Sequence, residues 1–246
     1  MGSLKGKTAL ITGSGRGIGF GIAQVMAQKG ANIMINDIVV ENAENAVQLL
    51  LSEGYEADFV VADVADKKQV TNAFEKTLKR FSKLDILVNN AGIVRRSHIC
   101  ETSLEEWEQV IANDLTSVFL CTQAAALHMR KRKYGRIINI SSIGCDGNYG
   151  ESSYSAAKSG ILGLTKTTAK ELAEYGITVN AICPGFIESP LTLAFTKENW
   201  EKAISSVPLS KAGTAADIGY LVAFLASDEA SYITKEVITV GGGMVL

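Results

Sequence analysis

Short apolar runs alternate along the chain with longer segments in which apolar residues recur every three or four positions. The short runs are rich in Val and Ile and bounded by Gly, Asp or Asn, which is typical of strands. They predict seven strands, at 8–12, 32–36, 58–61, 86–89, 136–140, 178–182 and 236–240. The longer segments have the periodicity of amphipathic helices. They predict helices at 17–29, 41–53, 67–81, 105–130, 152–174 and 214–226.

The order of these segments predicts the fold class. Strands that are apolar throughout are buried on both faces, and a repeated strand-then-helix order gives a parallel sheet with helices on both sides. We therefore expect an α/β, doubly wound domain of about seven parallel strands. Neither a linker nor a change of composition divides residues 1–246, so one domain is expected. The least regular segment, 188–207, is expected to be a flexible helical lid over a pocket or a surface loop.

Composition narrows the function class. The apolar fraction is 47% and the net charge is −2, and the densest basic run, 130–133, is read as a solvated helix end, so nucleic-acid binding is not expected. The N-terminus lacks the apolar core of a signal peptide. No apolar stretch is expected to be long enough to span a membrane. The four cysteines have no paired spacing, which favours reduced thiols in a cytoplasmic protein without a metal site. His98 and His128 are interpreted as surface or packing residues.

A glycine-rich loop follows the first predicted strand and opens the first helix. Such a loop lets the backbone approach a diphosphate closely, and the helix N-terminus favours the anion. The alternative is an ordinary turn that needs glycine for its conformation. The residues of this predicted cofactor loop are Gly13, Ser14, Gly15, Arg16, Gly17, Ile18 and Gly19.

Asp37 ends the second predicted strand, about 20 residues beyond the loop. A carboxylate there accepts hydrogen bonds from the adenosine ribose and repels a 2′-phosphate, which favours NAD over NADP. Arg16 argues in the opposite direction, because a basic side chain could meet that phosphate. A helix cap is the structural alternative for Asp37. We predict NAD, with NADP as the less favoured cofactor.

Tyr154 and Lys158 are four residues apart in a predicted helix, so they lie on one face. A free tyrosine has a pKa of about 10, too high for base chemistry at neutral pH, but a neighbouring cation favours the phenolate. The pair can therefore serve as an acid/base for an alcohol oxygen.

These motifs together resemble the short-chain dehydrogenase/reductase family over essentially the whole chain. The resemblance implies a Rossmann domain that interconverts a secondary alcohol and a ketone by hydride transfer to or from NAD(P). It also implies a homotetramer or homodimer in which helices 105–130 and 152–174 pair across a two-fold axis. The matching segments are 12–19, Asp63-Val64, Asn89-Asn90-Ala91-Gly92, Asn139-Ile140-Ser141-Ser142, Tyr154 with Lys158, and Pro184-Gly185.

The resemblance also implies roles for individual residues. Tyr154 is the acid/base and Lys158 assists it and holds the nicotinamide ribose. Ser141 is preferred to Ser142 as the serine that orients the substrate, because Gly144 stands three positions after it and Tyr154 thirteen. Asp114 stands where the family usually has an asparagine that supports a proton relay. The further cofactor contacts implied are Asp63, Val64, Asn90, Ala91, Gly92, Pro184, Gly185, Ile187 and Ser189.

The substrate is less well determined by sequence. Arg95 and Arg96 follow the fourth strand, where ligands of parallel sheets bind, and could pair a carboxylate. Their context resembles gluconate 5-dehydrogenases, so a sugar acid is the first expectation; surface or subunit contacts are the alternative. A 3-oxoacyl thioester, as in the similar acyl-carrier-protein reductases, is the runner-up, and a cyclic alcohol or steroid stays open. A non-catalytic NAD-binding sensor is the alternative of another class, whereas a hydrolase is disfavoured because no G-x-S-x-G motif occurs.

Overall fold

The computed structural model describes residues 3–244. Its strands, β1 to β7 in chain order, are Thr8–Ile11, Asn32–Asp37, Ala57–Val61, Ile86–Asn89, Gly135–Ile140, Ile177–Pro184 and Val237–Val240. They form one parallel sheet in the order β3-β2-β1-β4-β5-β6-β7. The predicted doubly wound α/β class is confirmed, and all seven predicted strands occur within a few residues of the expected bounds.

Nine α-helices lie within the described residues. In chain order, α1 to α9 are Gly17–Gln28, Val40–Ser52, Lys67–Phe81, Leu104–Ile111, Ser117–Arg132, Ser152–Leu172, Pro190–Leu193, Lys197–Ser205 and Ala215–Leu225. Helices α1, α2 and α9 cover one face of the sheet, and α3, α5 and α6 cover the other. Along β1, Leu10 faces the second layer while Ala9 and Ile11 face the first, as strand alternation requires.

The predicted helix at 105–130 is interrupted. A π-helical turn, Ala112–Thr116, separates α4 from α5 and carries the buried Asp114. Single π turns of this kind occur frequently at functional sites. The whole segment Leu104–Arg132 is apolar and long enough to cross a membrane by length and composition alone. Its packing against β4, β5, α3 and α6 identifies it as a core helix of this domain.

Segment 188–207 contains α7 and α8, each capped at its N-terminus. Ser189 and Thr192 form a capping box, with Pro190 at the first helical position, and the Thr196 hydroxyl accepts the Asn199 N–H. The segment thus contains two short helices, and its role as a flexible lid stays a prediction. Because β1 and β4 lead to connections on opposite sides of the sheet, a crevice opens at their carboxyl ends, where ligands of such sheets bind.

Candidate active site

The glycine loop between β1 and α1 is shaped by close backbone contacts. Gly13 and Gly17 have φ of 59° and 60°, in the left-handed region that favours glycine. A Cβ on Gly13 would lie only 2.8 Å from Cα of Ala91. The loop after β1 is thus packed directly on the loop after β4. Main-chain groups rather than side chains therefore form the floor of the crevice.

Three of the predicted cofactor residues support this floor from behind. The Ser14 hydroxyl donates to the Ile11 carbonyl (2.7 Å), and the side chain is fully buried. Gly15 donates its N–H to Asp37 Oδ2 (3.1 Å). The Asn90 amide donates to the carbonyls of Thr12 and Gly13, both at 2.9 Å. Ser14 and Gly15 do not line the crevice, and their contact with the cofactor stays a prediction, whereas Asn90 both supports the loop and lines the crevice.

The crevice has a volume of about 370 Å³ and is lined by the glycine loop, the end of β2 and the loop after β4. Asp37 lies at its edge, 8% exposed, with its two oxygens accepting N–H groups of Gly15 and Val39. Arg16 lines the same edge. Of the residues predicted to bind cofactor, those that line this crevice are Gly13, Arg16, Gly17, Ile18, Gly19, Asp37, Asp63, Val64, Asn90, Ala91, Gly92 and Ser189.

A second cavity, of about 220 Å³, adjoins the first and shares Ile18, Asn90 and Ser189 with it. This cavity brings Tyr154 and Lys158 together with residues from β5, β6 and the α7 segment. It is therefore the place where a nicotinamide and an alcohol would meet. The predicted residues that line it are Ile18, Asn90, Gly92, Asp114, Ser141, Tyr154, Lys158, Pro184, Gly185, Ile187 and Ser189, and Ser142 lines it as well.

Helix α6 presents Tyr154 and Lys158 on one face. The Lys158 Nζ atom lies 5.4 Å from the centre of the Tyr154 ring and 3.4 Å from the Ile140 carbonyl oxygen. Burial lowers the pKa of Lys158, but the Asp114 carboxylate and the Tyr154 phenol together raise it by more, so the net pKa lies above its usual 10.5. Lys158 is thus a permanent cation beside the phenol at any neutral pH.

Asp114 is fully buried in the π turn and forms an ion pair with Lys158. Its Oδ2 atom lies 3.2 Å from Lys158 Nζ, but the two groups are not aligned as a hydrogen bond. Its Oδ1 atom accepts the Ile93 N–H at 2.8 Å. A Cβ on Gly92 would lie 2.6 Å from Oδ2, so only glycine leaves room here. The carboxylate therefore links α5, α6 and the loop after β4.

The two candidate serines differ in how their hydroxyl protons are used. Ser141 is 4% exposed and donates to the Lys158 carbonyl oxygen at 2.9 Å. Ser142 accepts the Gly144 N–H at 3.0 Å, and no acceptor for its own proton occurs within residues 3–244. A Cβ on Gly144 would lie 3.3 Å from Ser142 Oγ and 3.4 Å from Tyr154 Cε1. The Ser142 hydroxyl and the Tyr154 ring are therefore close to each other. The geometry favours Ser142 over the predicted Ser141.

The two arginines predicted to bind substrate lie outside the second cavity, which is called the alcohol cavity below. The Arg96 Nε atom donates to Glu151 Oε1 at 2.7 Å. Arg95 is exposed and donates weakly to the Val94 carbonyl at 3.5 Å. Neither side chain lines either cavity. The expectation that they pair a substrate carboxylate is therefore not supported by their positions.

Two residues of the site were missed from sequence. The Thr12 hydroxyl accepts the N–H groups of Asn90 and Ala91, at 2.9 and 3.0 Å, and so joins the two loops; its place directly before Gly13 was the available signal. Glu151, the partner of Arg96, is 55 positions from it and had no local signal. Within the described part of the chain, no group of three or more His, Cys, Asp or Glu side chains is placed to hold a metal ion.

Known proteins are similar to this chain over nearly its whole length. Residues 13–245 match the family described as enoyl-(acyl carrier protein) reductase. The chain is 43% identical to the 3-oxoacyl-[acyl-carrier-protein] reductase FabG of Staphylococcus aureus, with 98% of each chain covered. It is 41% identical to that of Thermotoga maritima, with 99% of each covered.

Solved structures are similar over the whole fold. A gluconate dehydrogenase candidate from Agrobacterium tumefaciens superimposes with a TM-score of 0.95 at 34% identity, covering 98% of this chain and 97% of that one. The protein gox2181 superimposes with a TM-score of 0.94 at 30% identity, covering 98% and 96%. The chain belongs to the short-chain dehydrogenase/reductase family and is an NAD(P)-dependent oxidoreductase that acts on CH–OH groups.

Proposed function

We propose that this protein reduces the ketone of a 3-oxoacyl thioester to a secondary alcohol, and that it uses NADH in preference to NADPH. The observation that carries the substrate class is the full-length similarity, at 41–43% identity, to 3-oxoacyl-[acyl-carrier-protein] reductases. The sugar acid predicted first from sequence depended on Arg95 and Arg96, which do not reach the cavity. The lining of the cavity instead includes the apolar Leu191 and Ile187, which suit an acyl chain.

The residues of the site divide the work of the reaction. A bound nicotinamide supplies the hydride, and the protein supplies position and electrostatics. Ser142 donates its free hydroxyl proton to the substrate oxygen as a hydrogen bond. Tyr154 transfers its proton to that oxygen as the carbon accepts the hydride, which leaves a phenolate beside the Lys158 cation. Asp114 holds Lys158 in place, and its negative charge balances the Lys158 cation before the proton is transferred.

The preference for NADH rests on Asp37. Its carboxylate is fixed by two backbone N–H groups at the edge of the dinucleotide crevice, where it can accept hydrogen bonds from ribose hydroxyls. A 2′-phosphate brought to the same place would meet a fixed negative charge. Arg16 lines the same crevice, but its side chain is not held by backbone groups as the Asp37 carboxylate is. The carboxylate therefore dominates the choice.

A sugar acid is the second candidate substrate. What favours it is the closeness of the fold to the gluconate dehydrogenase candidate, at a TM-score of 0.95. The two candidates are distinguished by following the nicotinamide absorbance with acetoacetyl thioesters, gluconate and its keto acids, each with NADH and NADPH. Turnover of acetoacetyl thioesters with NADH supports the proposal. Turnover of gluconate alone, or no turnover with tight NADH binding, contradicts it.

The role of Ser142 is tested by comparison with its neighbour. Ser142→Ala is expected to lower kcat at least about a hundredfold, within the range seen for loss of one hydrogen-bond donor to a developing charge. Ser141→Ala removes a bond to the Lys158 carbonyl and serves as the matched variant. The assignment is wrong if Ser141→Ala is the more damaging change while both variants bind NADH normally.

We also propose that the protein forms a homodimer or homotetramer in the cytoplasm. A groove of about 500 Å³ lies between the outer faces of α5 and α6, and the exposed Phe119 and Leu127 stand beside it. An apolar groove of this kind suits the same helices of a second copy. Sedimentation of the wild-type protein and of Leu127→Glu measures the state, and a monomeric wild type would exclude the proposal.

A further inference from the structure

Glu151 is a buried carboxylate at the start of the helix that carries Tyr154. It is 4% exposed, and both of its oxygens are bound: Oε1 to Arg96 Nε at 2.7 Å and Oε2 to Asn148 Nδ2 at 3.0 Å. Its main-chain carbonyl accepts the Ser155 N–H at 2.7 Å, in the first turn of α6. A displacement of Glu151 therefore displaces the turn that presents the acid/base.

Arg96 connects this helix start with the segment over the alcohol cavity. Its guanidinium carbon lies 5.6 Å from the centre of the Phe195 ring, between α7 and α8. Phe195 in turn lies 6.0 Å from Phe186, whose ring meets Trp200 of α8 edge-on at 5.0 Å. The cation thus rests on the aromatic cluster that anchors the segment 188–207.

The main chain reinforces this connection. Ser97, next to Arg96, donates its N–H to the Gly150 carbonyl at 2.9 Å and pairs with Glu151 in an isolated parallel bridge. Three segments distant in sequence, 94–97, 148–151 and 186–200, therefore meet at one charged side chain. Arg95 makes none of these contacts, although it is adjacent and equally charged.

We propose that Arg96 and Glu151 are positioning residues that couple closure of the 188–207 segment to the placement of Tyr154. The ion pair fixes the start of α6, and the same guanidinium binds Phe195 by a cation–π contact, so the segment docks only when α6 is correctly placed. This inference rests on the proposed function for its substrate, but the docking itself does not depend on which ketone is reduced. The two residues act on the cavity only through the 188–207 segment, whose Ser189, Leu191 and Thr192 line it, and they do not bind the substrate.

The test compares Arg96→Met with Arg95→Met, which removes the same charge without breaking these contacts. Arg96→Met is expected to raise KM for an acetoacetyl thioester about tenfold while the Kd for NADH changes less than about twofold. It is also expected to speed trypsin cleavage after Lys197 and Lys202 at least about fivefold, because local opening exposes α8. Arg96→Lys, which keeps a cation over Phe195, is expected to recover most of the protection.

Equal behaviour of Arg96→Met and Arg95→Met in both measurements would overturn the proposal, as would a change in NADH binding larger than the change in KM. The proteolysis arm needs no substrate. It therefore tests the docking of the 188–207 segment even if the wild-type protein reduces no 3-oxoacyl thioester. That lack of turnover would overturn the proposed function alone. Glu151→Gln, which weakens the same ion pair from the other side, is expected to show the same pattern of cleavage.

Discussion

The buried ion pair between Asp114 and Lys158 gives the sharpest prediction of stability. The two side chains are 0% and 5% exposed, and their charged atoms are 3.2 Å apart. At an effective dielectric constant of about 20, Coulomb's law gives an attraction of about 5 kcal/mol at this separation. Removing one partner of a buried pair costs about 3–5 kcal/mol, because the other charge stays buried without compensation. Lys158→Met is therefore expected to lower the free energy of unfolding by about 3–5 kcal/mol.

The double variant Asp114→Asn/Lys158→Met separates the lost charge pair from the lost side chain. Replacing both partners removes the uncompensated charge, so the double variant should be more stable than Lys158→Met by about 2 kcal/mol or more. Urea unfolding of the wild-type protein, the two single variants and the double variant completes the cycle. A loss below about 1 kcal/mol in Lys158→Met, or a double variant no more stable than it, would refute this reasoning.

Three further predictions follow from the same geometry. Because the pKa of Lys158 is raised above its usual 10.5, its stabilising contribution is complete below that pH and is lost as pH rises through the folded value. The stability gap between wild type and Lys158→Met should thus be constant from neutral pH to about pH 10 and shrink above it; a gap that widens at alkaline pH would show the sign to be wrong. Asp37→Asn should raise the ratio of kcat/KM for NADPH to that for NADH at least about tenfold, and an unchanged ratio removes Asp37 from recognition. Gly13→Ala should weaken NADH binding measured by fluorescence, because its Cβ would lie 2.8 Å from Cα of Ala91; normal binding would contradict the packing of the two loops.

The fold could be predicted closely because its signals are local. Runs of Val and Ile bounded by Gly, Asp or Asn predicted each strand, and the strand-helix alternation predicted a parallel sheet. The π turn at Ala112–Thr116 could not be predicted in this way. It contains no proline or glycine, and its cause lies in tertiary contacts, since Asp114 turns inward to meet Lys158 and the Ile93 N–H.

The site could be predicted as far as motif spacing reaches. Tyr154, Lys158 and Asp37 are placed as their spacing predicted. The choice between Ser141 and Ser142 depends on which hydroxyl has a free proton, and that is decided by a carbonyl of α6. The pairing of Arg96 could not be predicted because its partner, Glu151, is distant in sequence, so an arginine that looks available in the sequence is already paired in the fold.

The central claim is that Tyr154, beside the Lys158 cation, is the acid/base of a nicotinamide-linked reaction. The most direct measurement is a single-turnover experiment with Tyr154→Phe, in which NADH fluorescence reports binding and its decay reports reduction of the ketone. The account predicts NADH binding within about twofold of wild type and a fall in the rate of reduction of at least about a thousandfold. A variant that still reduces the ketone at a tenth of the wild-type rate or faster would contradict it.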